Sequence, residues 1–140
     1  MTKSQTICIV DDEAAIRETL ENVLSDEGYP VMSCRDSISF FEMLALQTPD
    51  LVLLDIWLPG IDGMAILSKL RESHPELPVI MMSGHAGIDA AVSAIKLGAV
   101  DFMEKPLRLE ILLDKIAVVL SNKPPERMKD LASDTGLEVA

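Results

Sequence analysis

Five times along this 140-residue chain a short strand-like run gives way to a segment with helical spacing. The strand-like runs are Thr6-Ile7-Cys8-Ile9-Val10, Val31–Cys34, Leu51–Asp55, Val79-Ile80-Met81-Met82 and Asp101–Glu104. After the first come Ile16, Leu20, Val23 and Leu24, stopped at Gly28. After the second, with Asp36 or Ser37 as cap, come Phe40, Phe41 and Leu44, broken by Pro49-Asp50. Ile66, Leu67 and Leu70 follow the third run and end near His74-Pro75, while Ile88, Ala91, Val92 and Ile95 follow the fourth and stop at Gly98. The last helix is the most regular, with Leu109, Leu112, Leu113, Ile116, Ala117 and Leu120 at i, i+3, i+4 spacing. Strict alternation of this kind implies a parallel sheet wrapped by helices on both faces. Right-handed crossovers leave few topologies. The expected fold is α/β, a flavodoxin-like doubly wound sheet of five parallel strands in order 2-1-3-4-5 with five helices.

The run Leu51-Val52-Leu53-Leu54-Asp55 is the centre of that arrangement. Four apolar residues ending on one carboxylate read as a strand buried on both faces. Ligand sites of open α/β sheets lie beyond the carboxyl ends of the strands, where Asp55 stands before the turns Pro59-Gly60 and Asp62-Gly63. In the expected strand order, Asp11 and Asp12 reach the same crevice. Three carboxylates there need a counter-charge, and an oxygen-only donor set suits Mg2+. The simpler alternative is that Asp11-Asp12-Glu13 caps the first helix, where negative charge is stabilised. Lys105, just past the fifth strand, serves either as an ion-pair partner or as part of the site. Ser83, at the end of the fourth, either donates to an anion or caps the next turn.

Composition narrows the function. The formal net charge is −11, and up to Ser121 there are 9 Lys and Arg against 19 Asp and Glu. Nucleic-acid binding by this segment is therefore not expected, because phosphate contact needs clustered cations. No run is apolar enough to span a bilayer and no signal-peptide pattern opens the chain, so the expected location is the cytoplasm. Cys8 and Cys34 lie in strand-like runs and read as buried free thiols. Residues 1–121 are expected to form the domain, and 122–140, with Lys123-Pro124-Pro125, a linker or C-terminal tail.

The set Asp11-Asp12, Asp55, Ser83 and Lys105-Pro106 resembles the receiver domain of two-component response regulators (CheY-like), from about Ile7 to Leu120. The resemblance implies that Asp55 accepts a phosphoryl group from a phosphohistidine on a sensor histidine kinase. It implies Mg2+ held by Asp12, Asp55 and the backbone carbonyl of Trp57, with Asp11 acting largely through water. Ser83 and Lys105 would each meet a phosphoryl oxygen, Phe102 would rotate inward as Ser83 moves, and the bond before Pro106 would be cis. Such a domain is a phosphoacceptor that assists its own phosphorylation and dephosphorylation, not a free-standing enzyme. The output surface would involve the fourth helix, fifth strand and fifth helix, as a face for a homodimer.

A finer resemblance is to NtrC-class receivers, and most closely to the NtrX type. It is carried by Asp55-Ile56-Trp57-Leu58-Pro59-Gly60, Met82-Ser83-Gly84-His85, Ala91-Val92-Ser93-Ala94-Ile95-Lys96 and the run from Gly98 to Pro106. In that class the receiver precedes a DNA-binding ATPase that activates transcription, and neither a phosphate loop nor a DNA-reading helix is present here. A stand-alone receiver acting by partner binding or phosphorelay is the alternative. A hydrolase with Asp55 as nucleophile is disfavoured because Trp57 stands where the haloacid dehalogenase type has a second aspartate. Flavin binding is disfavoured by the acids after the first strand. Trp57 itself either covers its loop or docks a kinase. His85 reads as a loop or cap residue in preference to a neighbour of the phosphoryl group, and His74 as a favourable charge near a helix end. Ile111, Val118 and Val119 read equally as burial under the tail or as a dimer face.

Overall fold

A computed structural model describes residues 4–84 and 87–122. The elements alternate without exception: β1 (Ile7–Val10), α1 (Ala14–Asp26), β2 (Val31–Cys34), α2 (Ser37–Leu46), β3 (Leu51–Asp55), α3 (Gly63–Ser73), β4 (Val79–Ser83), α4 (Ile88–Lys96), β5 (Asp101–Glu104) and α5 (Leu109–Asn122). The strands form one sheet in the order β2-β1-β3-β4-β5, with every neighbouring pair parallel. This is the expected flavodoxin-like topology. Two edges shift by a residue. The β1 strand starts at Ile7, because Thr6 exchanges hydrogen bonds with Asp50 instead, and β4 extends to Ser83. His85 and the tail beyond Asn122 lie outside the described residues.

Alternating side chains divide the interior into two layers. Cys8, Val10, Val52, Leu54, Val79 and Met81 face a cluster with Phe40, Leu44, Ile66, Leu67 and Leu70, under α2, α3 and α4. Ile7, Ile9, Leu51, Leu53, Ile80 and Met82 face Leu20 and Leu24 of α1 and Leu112, Ile116 and Leu120 of α5. The β1, β3 and β4 strands are buried along their whole length, which is why they read as continuous apolar runs. Cys8 and Cys34 are buried free thiols, as expected. The α2 helix opens on a capping box, with the Asp36 carboxylate accepting from the Ser39 amide at 2.8 Å.

The face that α4 buries differs from its apolar periodicity. Ile88, Val92 and Ile95 are exposed, Ile88 by 82%, while Ala94 is buried and Ala90 packs on the core. The spacing of the bulky residues marks a helix correctly, but small side chains let it approach the sheet and turn the large ones outward. On α5, Ile111 and Val118 are exposed, whereas Val119 packs against the core. Among the described residues no helix is long and apolar enough to cross a membrane.

This division gives a direct stability contrast. Leu67→Ala, in a fully buried position, is expected to cost about 3 kcal/mol. Ile88→Ala, on the exposed stripe, should stay within about 0.5 kcal/mol. Urea unfolding of the two variants measures both, and equal losses would contradict the assigned faces.

Candidate functional site

The carboxyl ends of the strands converge as the fold class requires. Asp55 is the last residue of β3 and only 3% exposed. The ladder continues past it, with the Ile56 amide donating to the Met82 carbonyl at 3.0 Å, so its backbone is fixed on both sides. Below it the chain turns tightly. The Gly63 amide donates to the Ile56 carbonyl at 2.7 Å, and a Cβ on Gly63 would collide with the Asp55 carbonyl oxygen. The Asp62 carboxylate caps α3 by accepting from the Ala65 amide at 2.9 Å. The loop leaving β3 is therefore held by backbone contacts that only glycine permits.

Asp11, directly after β1, is fully buried, while Asp12 is exposed. Carboxylate oxygens of Asp11, Asp12 and Asp55 lie within 4.8 Å of one another. Lys105 brings the positive charge: its Nζ stands 2.7 Å from Asp11 Oδ2, 3.3 Å from Glu13 Oε1 and 3.4 Å from Asp55 Oδ2. The backbone of Lys105 is placed by its amide, which donates to the Ser83 carbonyl at 2.8 Å, and its bond to Pro106 is cis. Ser83 is fully buried at the end of β4. Phe102 is half-buried against the layer under α2, α3 and α4. Trp57, two residues past Asp55, is 56% exposed. His74 caps the C-terminus of α3 with its ring Nδ1 2.8 Å from the Ser73 hydroxyl, well away from these strand ends.

The simple capping alternative for the acidic run does not describe the structure. Glu13 is the N-cap residue of α1, yet its side chain makes no cap hydrogen bond and pairs with Lys105. Asp11 Oδ1 accepts from the Glu13 amide at 2.9 Å, and its carbonyl accepts from Arg17 at 2.7 Å. Nor does Ser83 occupy the cap of the next helix, since the N-cap of α4 is Gly87. Two supports escaped the sequence reading. Glu13 was visible only as the third member of an acidic run, and Gly63 only as half of a turn. A glycine at the first position of a helix, just after an aspartate cap, is the available signal for the second.

The electrostatics follow from burial. Desolvation, and then the charge of Asp11, push the Asp55 carboxyl up to about 6, against the smaller pull of Lys105 and the Trp57 backbone. Burial opposes the charge on Lys105, but Asp11, Asp55 and Glu13 outweigh it and hold the ammonium above its ordinary value. Among the described residues Asp55 Oδ1 is buried without a hydrogen-bond partner, although Oδ2 lies near Lys105. A buried, unpartnered carboxylate oxygen among three acids fits a hard divalent cation such as Mg2+.

Residues 7–117 match the family described as the response regulator receiver domain. The chain belongs to that family. Within it, the chain is similar to the nitrogen assimilation regulatory protein NtrX of Azorhizobium caulinodans, at 45% identity over 109 residues, 76% of this chain and 24% of that protein. It is also similar to the DNA-binding transcriptional regulator NtrC of Escherichia coli K12, at 41% identity over 74% of this chain and 22% of that protein. The crystal structure of the receiver domain of NtrX from Brucella abortus superposes with a TM-score of 0.79 at 44% identity, covering 84% of this chain and 99% of that one. This receiver domain thus spans about a quarter of the length of these two relatives. Receiver domains generally bind Mg2+ at an acidic cluster and take phosphoryl groups from histidine kinases.

Two stability tests follow for this receiver domain. The Asp55 carboxyl titrates higher when folded than its ordinary 3.8, so folding disfavours its charged form. That penalty is absent below pH 4 and complete above pH 6. Without divalent cations, Asp55→Asn should therefore stabilise the domain by about 3 kcal/mol at pH 7, with the gain closing as pH falls towards 4. Urea titrations at both pH values read this, and equal stabilities at pH 7 would contradict it. Gly63→Ala should cost about 2 kcal/mol in the same assay, and a neutral result would mean that the β3–α3 turn is not tightly packed.

Proposed function

We propose that this receiver domain is phosphorylated on Asp55 by a sensor histidine kinase and thereby switches a protein-interaction surface. The observation that carries the reading is Asp55 itself, a buried carboxylate at the end of β3 with one oxygen unpartnered between acidic and basic neighbours. An Asp55 oxygen bonds to phosphorus as the phosphorus–nitrogen bond of phosphohistidine breaks and the imidazole keeps the electron pair. At neutral pH a carboxyl that titrates near 6 is mostly ionised, hence a competent nucleophile.

Asp12, Asp55 and the Trp57 carbonyl would hold Mg2+, with Asp11 acting largely through water. The bound ion supplies neutralisation of the charge that gathers on the transferring group. The chain's own contribution is positioning. Lys105, already aimed into the crevice, offers an ammonium N–H to one phosphoryl oxygen, and Ser83 moves to give its hydroxyl to another. Drawing Ser83 towards the acyl phosphate leaves room for Phe102 to turn inward, which couples the site to α4, β5 and α5.

The apolar residues that α4 and α5 leave exposed, Ile88, Val92, Ile95, Ile111 and Val118, support that face as the site of homodimer formation. Relatives named as NtrX and NtrC support an output in transcription activation by a longer protein of that class.

The test uses a small-molecule phosphodonor with Mg2+. Wild type should incorporate phosphate and Asp55→Asn none, and persistent labelling of that variant would overturn the assignment. Lys105→Ala should still bind Mg2+ but fail to change mass in light scattering with beryllofluoride, where wild type passes from monomer to dimer. A wild-type mass that never changes would remove the dimer reading.

A further inference from the structure

The contacts of Lys105 assign a role to a residue outside the five positions of the family pattern. An ammonium has three N–H donors and no acceptor. Here its three anionic neighbours are Asp11 at 2.7 Å, Glu13 at 3.3 Å and Asp55 at 3.4 Å. A phosphoryl oxygen on Asp55 that pairs with Lys105 has to share its donors with the two carboxylates hydrogen-bonded to Nζ, Asp11 and Glu13.

The three neighbours are unequal. The Asp11 and Asp55 side chains are 0% and 4% exposed, and each has backbone fixed by strand or loop hydrogen bonds. The Glu13 side chain is 59% exposed, at the mouth of the site. Its own amide is tied to Asp11 Oδ1 at 2.9 Å, so the residue is anchored while its carboxylate remains in water. A solvent-screened pair is the weakest of the three and the one most readily exchanged. We infer that Glu13 is a positioning residue for phosphoryl capture: it holds the Lys105 ammonium at the mouth of the crevice and competes with the incoming phosphoryl oxygen for the same N–H donor.

The role rests on the phosphoacceptor reading and deepens it. Glu13 sets how strongly the site grips its phosphoryl group, and the lysine it gives up is already aimed. Removing the carboxylate frees a donor, so a phosphoryl mimic should bind tighter. A merely structural Glu13 would alter stability and leave that affinity alone.

The experiment is calorimetric titration of the 140-residue chain with beryllofluoride at fixed, saturating Mg2+, comparing wild type, Glu13→Gln and Glu13→Asp. Aspartate keeps the charge but is one methylene too short to reach Lys105. Both variants should bind beryllofluoride about three- to five-fold tighter than wild type, the scale of a surface ion pair. Tighter binding by Glu13→Gln alone would overturn the inference, because the effect would then be one of net charge. Unchanged or weaker binding by both would overturn it as well. A wild type that binds no beryllofluoride would defeat the phosphoacceptor reading and this inference with it, and that failure is visible before any variant is compared.

Discussion

The Lys105 ammonium is the contact on which the rest of this structure depends. Its neighbours come from the ends of β1 and β3 and from the cap of α1, while its own backbone hangs from β4. One side chain therefore ties four elements at the carboxyl edge of the sheet. Burying Asp11 and Asp55 side by side is costly, since each charge loses its water and repels the other. A single cation relieves that cost only in part. The raised titration of Asp55 and its unpartnered Oδ1 are the visible remainder, and both disappear if another positive centre arrives.

The frame around this site is rigid where it must be. Apolar strands buried on both faces fix the positions of Asp55 and Ser83, and the glycine turn at Gly63 prevents the loop after β3 from drifting. The α4 side is built differently. It meets the core through Ala90 and Ala94, small side chains that offer little apolar area, and presents its bulky residues to solvent. A helix so lightly held is easier to displace than α3, which buries Ile66, Leu67 and Leu70. That asymmetry supports the proposed change of this surface on phosphorylation.

Most of the fold was legible because burial on two faces leaves a plain trace. Val52 to Leu54 and Val79 to Met82 read as inner strands, and the alternation with helices left few topologies, among which the 2-1-3-4-5 order is the observed one. The convergence of Asp11, Asp55, Ser83 and Lys105 followed from strand order alone. The buried face of α4 was less legible, because periodicity reports that a helix has an apolar stripe and not which way the stripe turns. Glu13 was hidden for a different reason. A carboxylate at a helix start has an adequate local explanation in capping, and only the reach of Lys105 from ninety-two residues away replaces it. Gly63 was hidden because close backbone approach leaves no mark beyond the glycine itself.

Membership in the receiver family gives these contacts a common purpose, and the central physical claim beneath it is that Asp55 is a buried carboxylate held short of one partner. Carbon-13 NMR of the Asp55 carboxyl across pH, with and without Mg2+, tests this most directly. The account predicts titration near pH 6 in the absence of the ion and a clear downward displacement when Mg2+ is added. Titration in the ordinary carboxylate range, indifferent to Mg2+, would contradict it.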